Sequence, residues 1–142
     1  MAERLTLDTN ILVYAVDRDA GPRHARAVEV VDRCVDLDCV LTMQALAEFY
    51  FVVTRKDRMP RDEAAAQVED WLALFPLVTP RAGTLKRAID GSREHGIAFW
   101  DAMIWAVAAE NGVTVLLTED GRPGLIAGGV RWCDPFADCG QP

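Results

Sequence analysis

Three stretches of this 142-residue chain are almost wholly apolar, and each carries a single charge, always an acid. Residues 5–16 hold only Asp8, residues 40–54 only Glu48, and residues 97–109 only Asp101. No Lys or Arg lies inside these stretches to pair them. An ionised carboxylate buried without a partner costs several kcal/mol and would sooner take up a proton. One such acid at the end of an element, facing water, is ordinary. Three together suggest carboxylates converging on a cation, and hard divalent ions such as Mg2+ and Mn2+ take oxygen ligands. A site of that kind can hydrolyse a phosphodiester, because the ion activates water and offsets charge on the phosphate oxygens. Such chemistry needs no histidine or lysine base. That suits a chain whose two histidines, His24 and His95, fall in the first turn of a surface helix and at a helix end.

The elements around these acids follow from periodicity. Residues 4–8 read as a short strand, apolar enough for the centre of a parallel sheet, with Asp8 at its carboxyl end. Open α/β sheets bind ligands at that end. Thr9-Asn10 then opens a helical run over 11–16, and residues 17–21 form a loop. Pro22 suits the first turn of an amphipathic helix over 22–35. Residues 39–42 read as a second strand, and Thr42 as the N-cap of a helix over 43–55 with Glu48 about midway. That helix has more apolar residues than one face can hide, so part of it is expected to cover a subunit interface. Helices to about Leu74 and to about His95 follow, separated by an extended segment over 75–79. Gly91 weakens the second of them in its middle. Residues 97–109 are too long for a strand and read as a helix buried nearly all round, closed by Glu110-Asn111-Gly112. Residues 113–118 are the clearest strand and run into Glu119 and Asp120; residues 130–133 are a last short strand. Strands alternate with helices throughout. The expected fold is a three-layer α/β/α domain with a mostly parallel central sheet, one domain over 1–142.

Composition narrows the classes. Hydrophobic residues make up 51% and charged residues 26%, an ordinary globular balance. No apolar run reaches the roughly 18 residues of a membrane span. The chain shows no signal-peptide pattern, so the expected location is cytoplasmic, with no membrane partner. The net charge of −7 argues against a protein that coats nucleic acid by electrostatics alone. It is compatible with a nuclease whose metal ions supply positive charge locally. The four cysteines, 34, 39, 133 and 139, lack zinc-site spacing and read as free thiols; a Cys133–Cys139 or Cys34–Cys39 bridge would need an oxidising compartment.

The ordered set Leu7-Asp8-Thr9-Asn10-Ile11-Leu12, then Glu48, then Phe99-Trp100-Asp101-Ala102, then Leu117-Thr118-Glu119-Asp120 resembles a PIN domain, and in particular a VapC-like toxin ribonuclease of a toxin–antitoxin pair. The resemblance covers essentially the whole chain, including the closing stretch Gly129-Val130 through Asp134-Pro135-Phe136. It implies that Asp8, Glu48 and Asp101 are the core metal-binding and catalytic acids, with Asp120 as the more variable fourth. Thr9 and Thr118 would support the site by hydrogen bonds, and Asn10 would orient the Asp8 turn. Gly121-Arg122-Pro123-Gly124 departs from the family's usual stretch, which leaves open whether Glu119 or Asp120 is the fourth acid. The resemblance further implies Mg2+ or Mn2+ as cofactor, a structured RNA substrate such as tRNA or rRNA, a homodimer, and a small antitoxin protein that plugs the acidic groove with a basic side chain. Loop cations that could meet RNA are Arg18, Arg55, Lys56, Arg58 and Arg122.

Two rivals stand beside this reading. A haloacid-dehalogenase-like phosphatase would use Asp8 as nucleophile, but it wants an aspartate two residues later, where this chain has Asn10. A non-catalytic PIN-like binding module would have no reason to keep four acids.

Overall fold

The computed structural model describes residues 2–55, 58–137 and 139. The chain runs β1 (Leu5–Leu7), α1 (Thr9–Val16), a 3-10 turn (Arg18–Ala20), α2 (Pro22–Cys34), β2 (Leu41–Thr42), α3 (Met43–Thr54), α4 (Arg61–Leu74), β3 (Leu77–Val78), α5 (Thr84–His95), α6 (Phe99–Glu110), β4 (Val115–Leu117), β5 (Ile126–Ala127) and β6 (Val130–Cys133). The main sheet has the order β1-β4-β6-β5. β1 pairs parallel with β4 and β4 with β6, while β5 returns antiparallel on β6. β2 and β3 form a separate parallel pair. A parallel bridge from Leu5 to Cys39, with Leu5 N–H donating to Asp38 O and Val40 N–H to Leu5 O, lays the approach to β2 along β1.

Residues on a strand alternate between faces, and here the alternation divides the core. Leu5, Leu7, Val115, Leu117 and Cys133 pack with buried residues of α1–α4. Leu116, Val130 and Trp132 pack on the other face, with Ala88 of α5 and Ala102, Ile104, Trp105, Ala106 and Ala108 of α6. Both faces of a mostly parallel sheet are therefore covered, which is the expected three-layer arrangement. No described helix is long and apolar enough to cross a membrane.

The structure departs from the sequence reading in four places. β5 lies between the last two expected strands, where no element was expected; two residues are too few to show a strand pattern. Gly91 is where α5 meets α6: a Cβ there would stand 2.3 Å from Cζ3 of Trp105. Trp105 is anchored from the other side, its Nε1–H donating to Ala127 O at 2.9 Å. The first three residues of α6 are not fully buried, and Trp100 is 63% exposed. Finally, Cys133 and Cys139 are not free thiols but a disulfide. The turn after β6, in which Asp134 accepts from the Phe136 and Ala137 amides, brings their Cα atoms to 5.8 Å, inside disulfide range. Cys34 and Cys39 are buried free thiols, as expected.

Candidate metal centre

β1 and β4 run in register, Leu7 opposite Leu117, so Asp8 and Thr118 leave the sheet side by side. Asp8 N–H donates to Leu117 O at 2.9 Å. Asp8 is also the N-cap of α1, and its Oδ1 accepts the Thr9 N–H at 2.7 Å. Its Oδ2 accepts the Thr118 hydroxyl at 2.7 Å. Both carboxylate oxygens are thus fixed before any ligand arrives. α6 brings Asp101 in its first turn, and the turn after β4 brings Asp120. Ligand oxygens of Asp8, Asp101 and Asp120 all lie within 4.8 Å of one another.

Electrostatics here are those of crowded like charges. Burial pushes the Asp8 carboxyl up from 3.8 to about 6, with Asp101 and Asp120 adding to the rise and the bonds from Thr118 and Thr9 opposing it. Asp101 is also held above the usual range, first by burial and then by the charges of Asp120 and Glu48.

Glu48 stands outside this tight group but lines the same cleft, about 380 Å³ in volume, together with Asp8, Asp101, Asp120, Trp100 and Arg58. Its Oε1 accepts Gln44 Nε2–H at 2.6 Å and its Oε2 accepts the Thr9 hydroxyl at 3.2 Å. Gln44 also donates to Trp100 O at 3.1 Å, which ties α3 to the start of α6. Asn10 orients the turn after β4 rather than the turn at Asp8. Its Nδ2–H groups reach Asp120 Oδ2 at 3.0 Å and Thr118 Oγ1 at 3.3 Å, and its Oδ1 accepts the Glu119 N–H at 3.4 Å. Asp120 N–H donates to Thr118 Oγ1 at 3.0 Å.

Of Glu119 and Asp120, Asp120 is the one that stands with Asp8 and Asp101. Glu119 is engaged elsewhere: Oε1 accepts the Tyr14 hydroxyl at 2.6 Å and Oε2 accepts Arg23 Nε–H. Burial acts to raise its carboxyl, but these two partners outweigh it and hold the group low. Arg23 lies over the Phe136 ring and Tyr14 meets the same ring edge-on. Of the loop cations, Arg58 lines the cleft, Arg55 lies over Phe51, Arg122 donates to His95 O, and Lys56 falls outside the described residues. Neither histidine is in the site. His24 Nδ1 sits 2.9 Å from Tyr14 O, and His95 packs edge-on against Trp105.

Sequence reasoning missed Gln44, Tyr14, Arg23 and Trp100. Gln44 had a legible signal, since it precedes Glu48 by four residues, one helical turn. Tyr14 and Arg23 had none, being 105 and 96 residues from the acid they hold.

The donor set fits a small divalent cation. Oxygens on opposite sides of one Mg2+ lie about 4.2 Å apart, twice the ordinary bond length. Only one pair of the three can be opposite, and adjacent oxygens on the ion lie about 3 Å apart, so the carboxylates must draw in from a spread of up to 4.8 Å; Asp120, the exposed member, has room to move.

Comparison with known proteins agrees on the fold. No curated protein matches the chain. Among solved structures, VapC20 of Mycobacterium tuberculosis, described as a sarcin-ricin loop cleaving toxin, is similar at 18% identity over 79% of this chain and 86% of its own, with a TM-score of 0.64. The DNA-bound VapBC of Salmonella typhimurium is similar at 15% identity over 94% and 98%, with a TM-score of 0.66. FitAcB of Neisseria gonorrhoeae is similar at 18% over 93% and 98%, with a TM-score of 0.62. At these identities the likeness speaks for the fold. The family assignment rests on the PIN domain model, which matches residues 5–128, from the first residue of β1 to just beyond β5; the chain belongs to the PIN domain family.

Proposed function

We propose that this chain is a divalent-cation-dependent endoribonuclease and that it serves as the toxin of a toxin–antitoxin pair. The observation that carries the reading is the convergence of Asp8, Asp101 and Asp120 at the carboxyl edge of a parallel sheet, with no Lys or Arg ion-paired to any of them among the described residues. Those three would hold Mg2+ or Mn2+, with Glu48 on the same cleft. When bound, the cation activates water and offsets negative charge on the phosphate oxygens. The chain's own residues prepare the place. Thr118 and the Thr9 amide fix Asp8, Asn10 fixes the Asp120 turn, and Gln44 fixes Glu48. Without a cation the same carboxylates repel a phosphate, so metal dependence follows from the charge of the cleft.

The substrate we propose is structured RNA, tRNA or rRNA, hydrolysed at one or a few phosphodiester bonds. Support comes from the similar fold of a toxin that cleaves the sarcin-ricin loop. Similar folds solved as VapBC and FitAcB support a cognate antitoxin protein as partner. An acidic cleft is suited to a basic antitoxin side chain. Exposed apolar residues of α3 and α4, among them Met43, Tyr50, Phe51 and Leu72, offer surface for a homodimer. The proposed location is the cytoplasm, where the adjacent Cys133 and Cys139 would be kept reduced and would bridge only on oxidation. The phosphatase reading gains no support, since the position it needs as an acid is Asn10, whose amide is spent on Thr118 and Asp120.

Incubation of purified, antitoxin-free protein with total cellular RNA tests the proposal. Discrete products are expected with Mg2+ or Mn2+, and none with EDTA or with Asp8→Asn. Intact RNA in the presence of well-folded, metal-supplied protein would overturn it.

A further inference from the structure

We infer that Trp100 is the positioning residue for the substrate: its indole stacks on an unpaired nucleobase whose neighbouring phosphate lies at the carboxylate cluster. The inference rests on the nuclease reading and deepens it, since it selects single-stranded or flipped-out nucleotides over duplex.

Three observations carry it. Trp100 is 63% exposed, whereas Trp71, Trp105 and Trp132 are at most 5% exposed. The other large side chains of α6 beyond its first turn pack inward, so leaving this one in water forgoes burial that a tryptophan ordinarily gains. Trp100 also lines the same cleft as Asp8, Glu48, Asp101 and Asp120, next in sequence to Asp101. A ligand whose phosphate meets the acids through a cation therefore has its base within reach of the indole. Finally, the residue is fixed. Its carbonyl accepts Gln44 Nε2–H, the same amide that holds Glu48, and the Phe99 ring meets the indole at 5.0 Å and 70°. A flat aromatic face held beside a phosphate-handling site is what proteins use to grip unpaired bases, because every base has a π-face to stack.

The test uses the full chain with Mg2+ and phosphorothioate oligoribonucleotides, so that the cation site stays intact and the RNA resists cleavage during the measurement. Because the other three tryptophans are buried, quenching by added RNA reports on Trp100. A short single-stranded oligoribonucleotide is expected to quench the fluorescence saturably, and a blunt duplex of the same sequence is not. In a parallel anisotropy titration with labelled oligonucleotide, Trp100→Ala is expected to weaken binding roughly 5- to 150-fold, the range for one stacked base. Trp100→Tyr, which keeps an aromatic face, is expected to retain most of the affinity. With unmodified, cleavable RNA the loss should appear mainly in KM, with kcat little changed. RNA that binds without quenching, or equal affinity in Trp100→Ala, would overturn the stacking role while leaving the nuclease reading intact; Trp100 would then be a surface for a protein partner. Stacking without any cleavage by the wild type would sink the nuclease reading instead. Absence of RNA binding by both readouts would overturn both.

Discussion

Asp8 is the buried member of the carboxylate cluster. Its carboxyl is buried and stands beside Asp101 and Asp120, and burial has raised it from 3.8 to about 6. The sign of its effect on stability follows. Between those two values the folded, metal-free chain holds a proton that the unfolded chain has released, so this contribution to stability falls as pH rises through about 6. At pH 7 the ionised group opposes folding by up to about 3 kcal/mol. Asp8→Asn, which is close to isosteric, is therefore expected to melt above the wild type at pH 7 in EDTA, with the gap closing as pH falls from 7 toward 4. Paired thermal melts across that range check this; a gap independent of pH would contradict it. Asp8, Glu48 and Asp101 were legible in the sequence, because each was the lone charge in an apolar stretch; Asp120, beside Glu119, was indicated only by its place after a strand and by the resemblance. Their supports were less so. Thr118 and Asn10 could be named, but that Asn10 braces the Asp120 turn depends on contacts across about a hundred residues of chain, which no local pattern records.

At the scale of elements, α/β alternation and the helix carrying Asp101 were readable because periodicity and caps are local. β5 was not, and neither was the reason for Gly91. Read locally, Gly91 is a weak point in a helix. In the fold it is the gap that admits Trp105 between α5 and α6. Gly91→Ala should gain about 1 kcal/mol of helix propensity and lose more than that to the clash, for a net cost of roughly 1–3 kcal/mol in urea unfolding. A stabilised variant would contradict the packing. The disulfide was likewise hidden, since pairing depends on the turn after β6 rather than on spacing alone. Protein purified without reductant should titrate with two thiols under denaturant, Cys34 and Cys39, and with four after reduction. Four thiols before reduction would contradict the bridge.

For the whole molecule, the net charge of −7 and the acidic cleft oppose the approach of a phosphate, and in the proposed reaction a bound cation offsets that charge. Fold, cleft and charge all lead to the claim that Asp8, Asp101 and Asp120 form one divalent-cation site. Titration of metal-free protein with Mn2+, following the free ion by electron paramagnetic resonance, tests that claim most directly. The wild type is expected to bind Mn2+ saturably and to melt at higher temperature as it does so, since a ligand of the folded state alone stabilises it. Asp8→Asn and Asp101→Asn should each weaken that binding at least tenfold. Mn2+ binding that is absent in the wild type, or unchanged in both variants, would contradict the account.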